Sequence, residues 1–319
     1  MPILLHESDV ERLLSMPEAV AAVERMFREM GEGQVLNIPR RRTRLPNGMM
    51  HVMAAANPAL GYLGLKCYTV FQGKARFVVL LFSSQTGELL AILEADTLGQ
   101  RRTGAASGVA TKYMARADAR VVGIYGTGWQ ARSQLAAVAA VRRLERVYAY
   151  GRNAERRATF AREMSEGLGV EVVPVDRPEA AAEGADILVT ITSAREPVLK
   201  GEWIGTGVHV NAAGSNSLIR REIDEETVRR MSRIVTDDLE QTKIEGGDLL
   251  PSVERGQIHW GQVHGLAEVV AGYYPGRADV EENTLFNSLG LAAEDIAAAA
   301  VVYEKAVAQG IGERVPMFE

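Results

Sequence analysis

One stretch near the middle of the chain restricts its fold more than any other. Residues 121–125 read as a short apolar strand that runs directly into Gly126-x-Gly128-x-x-Ala131, after which an Ala-rich helix is expected. The first glycine permits a tight turn, the second lets the backbone approach a phosphate, and the small Ala131 lets the helix pack closely on the strand. The helix N-terminus adds N–H donors and the positive end of a dipole. The pattern predicts a turn that binds the pyrophosphate of a dinucleotide; the alternative is a tight strand–helix turn with no ligand.

The alternation of strands and helices continues after this turn. Strands are predicted at residues 121–125, 146–150, 171–175, 187–192, 208–212 and 233–236, with helices at 130–141, 154–166 and 178–183. Such alternation is typical of a parallel sheet with helices on both faces. We therefore predict an α/β fold with a Rossmann-type, doubly wound parallel sheet.

The two ends of the chain have a different pattern. Residues 1–117 combine a helix capped by Ser15 with antiparallel-looking strands, and a strong Ala-rich helix at 291–309 follows the end of the α/β region. A chain that leaves one domain, builds a second and returns would give this order. We predict a discontinuous α+β domain of residues 1–117 and 291–319 and a dinucleotide-binding domain of residues 118–290.

Composition excludes several classes of protein. A net charge of −5 gives no reason to expect nucleic acid as a partner. The single cysteine, Cys67, rules out an internal disulfide framework and fits a reducing compartment. No apolar run approaches the roughly 20 residues of a membrane span, and no signal peptide is recognisable, so a cytoplasmic protein is expected. The five histidines show no metal-ligand spacing, and we predict no metal site.

The end of the second predicted strand bears on the choice of nucleotide. NAD-selective folds place an acidic residue there to accept hydrogen bonds from the ribose hydroxyls. Here the strand ends in Tyr-Gly-Arg152-Asn153, without a carboxylate. A guanidinium can pair bidentately with a 2′-phosphate. We therefore favour NADP(H) over NAD(H); the alternative is that Arg152 is a solvated loop residue.

Five further stretches are informative together. They are Gly64-Leu-Lys66, residues 98–107 (LGQRRTGAAS), residues 126–130 (GTGWQ), residues 210–216 (VNAAGSN) and residues 284–290 (TLFNSLG). In combination they resemble the ornithine cyclodeaminase/mu-crystallin family, which also contains archaeal-type alanine dehydrogenases and ketimine reductases. The resemblance implies a homodimer in which residues 1–117 and 291–319 form a substrate-binding and dimerisation domain.

The resemblance also implies roles for residues of the first domain. Lys66 would act beside the substrate as the catalytic residue, and Arg102 would bind the substrate carboxylate. The residue types suit these roles, since a forked guanidinium holds a carboxylate well and a buried lysine readily changes its pKa. Arg41 or Arg42 is a second candidate for the carboxylate, and the sequence does not choose between them. His51 lies on a strand that could reach the site.

Cofactor contacts follow from the same resemblance. Thr103, Trp129 and Gln130 would flank the phosphates. Thr192, Gly214, Ser215 and Asn216 would lie near the nicotinamide, and Ser288 would close over it.

Asn216 is a departure from the family pattern. Ornithine cyclodeaminases carry an aspartate at the matching position, where it exchanges a proton, and an amide cannot do so. We therefore predict an NAD(P)H-dependent oxidoreductase acting on the C–N centre of an amino acid or imino acid, an imine reductase or amino-acid dehydrogenase. Candidate substrates are Δ1-pyrroline-2-carboxylate, or alanine and pyruvate with ammonia. The alternatives are a cyclodeaminase-type lyase that uses NAD catalytically and a non-catalytic, crystallin-like NADPH-binding protein.

Overall fold

The computed structural model describes residues 1–317, which form fifteen strands and eleven α-helices. In chain order these are β1 (Ile3–Leu5), α1 (Glu7–Leu13), α2 (Met16–Gly31), β2 (Leu36–Leu45), β3 (Gly48–Asn57), β4 (Tyr62–Phe71), β5 (Lys74–Ser83), β6 (Leu89–Glu94), α3 (Asp96–Met114), β7 (Val121–Tyr125), α4 (Trp129–Val141), β8 (Arg146–Tyr150), α5 (Ala154–Leu168), β9 (Glu171–Val175), α6 (Pro178–Ala182), β10 (Ile187–Thr190), β11 (His209–Ala212), α7 (Glu225–Arg229), β12 (Arg233–Thr236), α8 (Leu239–Glu245), α9 (Leu250–Glu254), β13 (Val263–Gly265), α10 (Leu266–Val270), β14 (Thr284–Asn287), α11 (Ala292–Gln309) and β15 (Glu313–Arg314). In this part of the chain we find no helix that is both long and apolar enough to cross a bilayer.

The contacts divide the chain into two compact units. The first contains Met1–Arg102 and the segment from Leu291 onward, and the second is Thr103–Gly290. The predicted boundary between residues 117 and 118 lies later in the chain than this division. The physical reason is that α3 is one continuous helix whose two halves pack in different units. The division between the two units therefore lies inside α3, not after its end, where the sequence pattern changes.

The first unit is built on a seven-stranded sheet in the order β15-β1-β6-β5-β4-β3-β2. Strands β2 to β6 are joined as antiparallel neighbours, and α11 packs against one face of β3 and β4. Gly64 permits this close packing, since a Cβ atom there would lie 2.6 Å from Cδ1 of Ile296 on the helix. Strand β2 was not predicted, because two prolines and a run of arginines within residues 39–46 read as a loop.

The helix α11 follows from its composition. Alanine has the highest helix propensity, and it makes up much of residues 292–309. The helix ends at Gly310, which has the left-handed conformation common after helix C-termini. Its alanines are largely buried, as expected for a helix that is apolar on nearly all sides. The predicted helix at residues 291–309 is confirmed.

The second unit contains an eight-stranded sheet in the order β13-β12-β14-β11-β10-β7-β8-β9, with every neighbouring pair parallel. Strand β7 lies inside the sheet, with β8 and β9 on one side and β10 and β11 on the other. This is the strand order of a Rossmann fold, so the predicted fold class is confirmed. Strands β13 and β14, which the sequence analysis did not identify, complete the side beyond β11.

Candidate active site

The turn after β7 has the geometry expected of a phosphate-binding loop. Gly126 has a φ of +113°, and a Cβ atom added there would lie 2.3 Å from the carbonyl oxygen of Ile191. Glycine alone satisfies both the conformation and the close approach. Gly128 is the N-cap of α4, and a Cβ atom added there would meet no atom within 4 Å. This open space, next to the first-turn N–H groups of a helix, fits a pyrophosphate.

A cavity of about 880 Å³ lies at the carboxyl ends of β7, β8 and β10. Ligands of open α/β sheets bind in such crevices outside the carboxyl ends of the strands. Five of the predicted cofactor residues line it: Gly126, Gly128, Arg152, Asn153 and Thr192. The segment after β10, residues 191–198, forms one continuous part of the wall.

The tip of β8 presents cations to this cavity. Arg152 and Arg156 are exposed and both line it. Asn153 is the N-cap of α5, and its side-chain oxygen accepts a hydrogen bond of 2.9 Å from the backbone N–H of Arg156. The structure therefore gives Asn153 a helix-capping role, which stabilises the backbone that carries the two arginines.

The other predicted phosphate contacts do not line this cavity. Trp129, the first residue of α4, is 51% exposed, and Gln130 follows it with a buried Oε1 atom for which residues 1–317 supply no hydrogen-bond partner. The backbone carbonyl of Thr103 on α3 accepts a hydrogen bond of 3.2 Å from Gln134.

The predicted nicotinamide contacts other than Thr192 also lie outside the cavity wall, on loops after β11 and β14. Gly214 and the half-buried Asn216 belong to the loop after β11. The hydroxyl of Ser215 is buried and donates to the carbonyl of Arg220 at 2.8 Å. The hydroxyl of Ser288 donates to Asp237 at 3.3 Å. Both serine hydroxyls thus bond within the protein.

Sequence reasoning missed the buried carboxylates that support these loops. Asp237 accepts the backbone N–H groups of Leu289 and Gly290, each at 2.6 Å, and burial raises its pKa to about 6. Glu222 makes a similar set of bonds to the loops after β10 and β11. A signal for Asp237 was available, because it directly follows the buried strand β12.

In the first unit, the face of the sheet under α11 carries a buried ionic cluster. The ammonium group of Lys66 donates to Oδ1 of Asp295 at 2.8 Å. The guanidinium of Arg102 donates to the same oxygen from Nε at 2.9 Å and to Glu294 from Nη1 at 2.7 Å. All four side chains are at most 7% exposed. The structure thus brings the predicted catalytic residue, Lys66, and the predicted substrate-binding residue, Arg102, together through Asp295.

Burial and charge shift the pKa values of this cluster. Burial lowers the pKa of Lys66 to about 8, although the nearby carboxylate of Asp295 favours the charged form. Burial also disfavours the charged form of Arg102, but Asp295 and then Glu294 outweigh it and raise its pKa. Arg102 therefore stays charged, whereas Lys66 can gain and lose a proton near neutral pH.

The structure separates the arginines of β2. Arg41 is exposed and pairs with Val52, whereas Arg42 is half-buried and pairs with His51. The register shifts between Ile38 and Arg41, and this bulge turns Arg40 inward, where Nε lies 3.4 Å from Sδ of Met53. Arg40 is 5% exposed, and its charge lowers the pKa of Lys66. Arg41 thus lies on the exposed side of the strand, Arg42 is half-buried, and Arg40, which the sequence analysis did not propose, is buried.

His51 lies on the same face of the sheet. Its ring stacks on Tyr68 with centroids 4.1 Å apart, and its buried Nδ1 atom has no hydrogen-bond partner in the described part of the chain. Burial lowers its pKa to about 4, and the positive charges of Arg42 and Arg40 act in the same direction. His51 is therefore neutral at physiological pH and offers hydrogen bonds rather than charge.

Asp295 and Glu294 were the largest omission of the sequence analysis. Both belong to α11, which was recognised only as an Ala-rich helix. The available signal was the presence of two adjacent acidic residues in the first turn of a largely apolar helix. Such a pair either stabilises the helix dipole or neutralises buried cations. The structure shows that they are partners for buried cations.

Comparisons with known proteins agree with this architecture. The model of the ornithine cyclodeaminase/mu-crystallin family matches residues 1–310. The chain is similar to the structure of Thermococcus litoralis Δ1-pyrroline-2-carboxylate reductase in complex with NADH and L-proline, with a TM-score of 0.94, 40% identity and coverage of 98% of this chain and 100% of that one. It is 36% identical to alanine dehydrogenase of Archaeoglobus fulgidus over 99% of this chain and 98% of the relative. The iminosuccinate reductase of Paracoccus denitrificans, solved with NAD⁺, has a TM-score of 0.93 and 29% identity, covering 99% of each chain.

These findings confirm several predictions. The named relatives are oxidoreductases of C–N centres, which confirms the predicted function class, a nicotinamide-dependent oxidoreductase of this kind. The nicotinamide cofactor is confirmed at that level. The family resemblance is confirmed over nearly the whole chain. The chain belongs to the ornithine cyclodeaminase/mu-crystallin family.

Proposed function

We propose that this protein reduces the C=N bond of a monocarboxylic imino acid with NADPH, and that Δ1-pyrroline-2-carboxylate is its first substrate to test. The observation that carries the proposal is the buried cluster around Lys66. A lysine that is 2% exposed and bonded to Asp295 is costly to bury and has a pKa suited to proton transfer. The relatives named for pyrroline-2-carboxylate reduction support this choice of substrate.

The buried cations of the cluster support a substrate that carries a carboxylate. Arg40 and Arg102 are 5% and 6% exposed, and the charges of both act on Lys66 and lower its pKa. Their guanidinium groups are suited to bind a carboxylate bidentately.

Lys66 is the proposed proton donor, because its lowered pKa suits proton transfer near neutral pH. The nicotinamide, when bound, supplies the hydride. Lys66 in its ammonium form supplies the proton that the reduced nitrogen requires, with Asp295 holding the ammonium group in place. The second carboxylate oxygen of Asp295, Oδ2, is buried and has no hydrogen-bond partner within residues 1–317, so it is available to accept a substrate N–H.

The preference for NADP(H) over NAD(H) is part of the proposal. Arg152 and Arg156 both line the cavity at the tip of β8, and residues 151–153 include no carboxylate. Two guanidinium groups near the expected position of the 2′-hydroxyl favour a phosphate there. Gly126, Gly128 and the N-terminus of α4 would hold the pyrophosphate.

Alanine dehydrogenation is the second candidate reaction. The 36% identity to the alanine dehydrogenase of Archaeoglobus fulgidus favours it. The same cluster serves either reaction, because the α-imino acid formed from pyruvate and ammonia also carries one carboxylate. Cyclodeamination is disfavoured, since Asn216 replaces the aspartate that would exchange a proton.

We also propose a homodimer that uses the outer face of the sheet in the first unit. Four apolar residues on this face are between 38% and 68% exposed: Leu36, Ile38, Met50 and Val78. The register pairs Ile38 with Ala54, Met50 with Thr69 and Val78 with Cys67. Directly paired residues share a face of the sheet, and this face is opposite to the one that contacts α11. Exposed apolar patches of this kind mark protein–protein interfaces. Light scattering should give the mass of a dimer, and I38K/V78K should give a monomer.

The decisive experiment follows NADPH oxidation at 340 nm with two sets of substrates. One arm contains Δ1-pyrroline-2-carboxylate, and the other contains pyruvate with ammonia; each is repeated with NADH. We expect turnover with the cyclic imine and a lower KM for NADPH than for NADH. Turnover only in the pyruvate arm would select alanine dehydrogenation. Tight NADPH binding without turnover on either would refute the enzymatic proposal in favour of a non-catalytic binding protein.

A further inference from the structure

We propose that Glu222 is a positioning residue that ties together the two strand-end loops of the cofactor site. The proposal concerns the second unit alone. The expected effect of Glu222 on NADPH binding rests on the proposed function. Its expected effect on the two loops can be measured without any cofactor. Glu222 itself lies between β11 and α7, outside the motifs that carry the family resemblance.

The side chain of Glu222 joins two loops. It is 0% exposed, and Oε2 accepts hydrogen bonds from the hydroxyl of Thr190 at 2.9 Å and from the backbone N–H of Gly214 at 2.6 Å. Its other oxygen, Oε1, accepts the backbone N–H of Thr192. Thr192 begins the loop after β10, and Gly214 belongs to the loop after β11. One carboxylate therefore bonds to both.

The main chain of Glu222 holds the far end of the first loop. Its carbonyl oxygen accepts the N–H groups of Val198 and Leu199 at 2.8 and 3.0 Å. Leu199 also forms a parallel bridge with Ile223. Since residues 191–198 line the cofactor cavity, Glu222 fixes this part of the wall at both of its ends.

The two loops are so close together that no atom larger than hydrogen fits at Gly214 between them. A Cβ atom added at Gly214 would lie 2.4 Å from both N and O of Thr192 and 2.6 Å from Oε1 of Glu222. No side chain fits between the loops, and the carboxylate of Glu222 bonds to both of them. The resemblance places nicotinamide contacts on both loops, and an error in their spacing would act on the cofactor directly.

All three hydrogen bonds need Glu222 as an acceptor, which the ionised form supplies. Asp248 lies on the other side and accepts the backbone N–H of Glu222 at 2.6 Å, and the charge of Arg221 acts on Asp248. Burial, followed by the charge of Asp248, raises the pKa of Glu222 above its ordinary value. Protonation would turn one acceptor oxygen into a donor facing another donor. The hydrogen bonds between Glu222 and the two loops should therefore weaken as the pH falls.

Glu222→Gln tests this role, because glutamine keeps the shape but offers one acceptor oxygen in place of two. Hydrogen exchange of the cofactor-free protein, read by mass spectrometry, is the first measurement. We expect exchange in peptides covering residues 191–198 and 213–217 to become at least about tenfold faster. Thr190→Val, which removes one donor, should give a smaller change in the same peptides. Glu226→Gln, on the partly exposed helix α7, is the matched control and should change neither.

The second measurement is the Kd for NADPH by fluorescence. We expect Glu222→Gln to raise it about tenfold while the KM for the imino acid stays within twofold. In wild type the Kd should rise as the pH falls from 8 to 6, and in Glu222→Gln it should be flat. Unchanged exchange in both peptides would overturn the proposal. Faster exchange in a protein that binds neither NADPH nor NADH would uphold the positioning role and refute the proposed function.

Discussion

Replacing Asp295 with asparagine should lower the pKa of Lys66 and move the pH dependence of reduction with it. The substitution keeps the size of the side chain but removes the negative charge 2.8 Å from the ammonium group. It also removes a counter-ion of Arg102, whose positive charge then acts on Lys66 with less compensation. Both changes disfavour the ammonium form, so they act in the same direction.

The magnitude follows from the distance. Two unit charges 2.8 Å apart interact by about 1.5 kcal/mol in water and by about 6 kcal/mol at an effective dielectric constant of about 20. At 1.36 kcal/mol per pKa unit these limits are about one and about four units. We expect a shift near the lower limit, because water can enter the site once the ion pair is lost. The pKa of Lys66, about 8 in the wild type, would then be about 7 or lower.

The assay is the pH profile of kcat/KM for imine reduction. A proton-donating lysine must be protonated, so the rate is constant below its pKa and falls about tenfold per pH unit above it. The fall should begin at least one pH unit lower in Asp295→Asn than in wild type. At pH 8 this corresponds to a loss of about fivefold from protonation alone. At pH 6 the two proteins should be closest in activity.

Two measurements distinguish a lowered pKa of Lys66 from a general loss of activity. The pH dependence of the rate of reductive methylation of Lys66, followed by mass spectrometry, reports its pKa without reference to catalysis, and its midpoint should be at least about one pH unit lower in Asp295→Asn. Glu294→Gln is the matched control, since Glu294 bonds to Arg102 rather than to Lys66. A profile of Asp295→Asn that falls at the same pH as wild type, with unchanged methylation, would refute the electrostatic reasoning.

Three further substitutions test other parts of the protein. Lys66→Ala should reduce turnover by at least about 100-fold, as expected for loss of a proton donor, while the Kd for NADPH stays within threefold; turnover within threefold of wild type would contradict its catalytic role. Arg152→Asp should shift the NADPH/NADH ratio of kcat/KM at least about tenfold toward NADH, and an unchanged ratio would remove the basis for the NADP(H) preference. His209→Gln should weaken the loss of stability in acid. Burial, then the charge of Arg277, lowers the pKa of His209 from 6.5 to about 3. The stability that the neutral imidazole contributes is therefore complete above pH 6.5. As the pH falls from 6.5 toward 3, the free energy of unfolding decreases by about 1.4 kcal/mol per pH unit. Urea unfolding at pH 7, 6, 5 and 4 measures this slope, and equal slopes in both proteins would show that His209 is already charged when folded.

The sequence was most informative where function depends on local backbone geometry. Gly126 and Gly128 lie within one turn, and the strand before them and the helix after them are set by local hydrophobic pattern and propensity. Alternation along the second unit was sufficient to predict a parallel sheet. The Ala-rich pattern likewise predicted α11, though not what its two acids would bind.

The sequence was least informative about β2. Its arginines and Pro39, with Pro46 directly after its end, resemble a solvated loop, and the sequence did not choose between Arg41 and Arg42. The strand instead contains a bulge, which places Arg40 inside and Arg41 outside. A bulge changes which face every following side chain occupies, and it depends on pairing with β3 that no local pattern records.

The sequence alone thus determined the family and the parallel sheet, and it predicted the dinucleotide loop and the pair Lys66 and Arg102, because each is carried by neighbouring residues or by a recognisable motif. The tertiary structure alone decided what surrounds that pair. Asp295 reaches Lys66 from 229 positions away in the chain, and Glu222, in the loop after β11, reaches Thr192 in the loop after β10 from 30 positions away. The reason is that a pKa or a loop position depends on the charges and donors within a few ångströms, and chain folding alone brings these groups together.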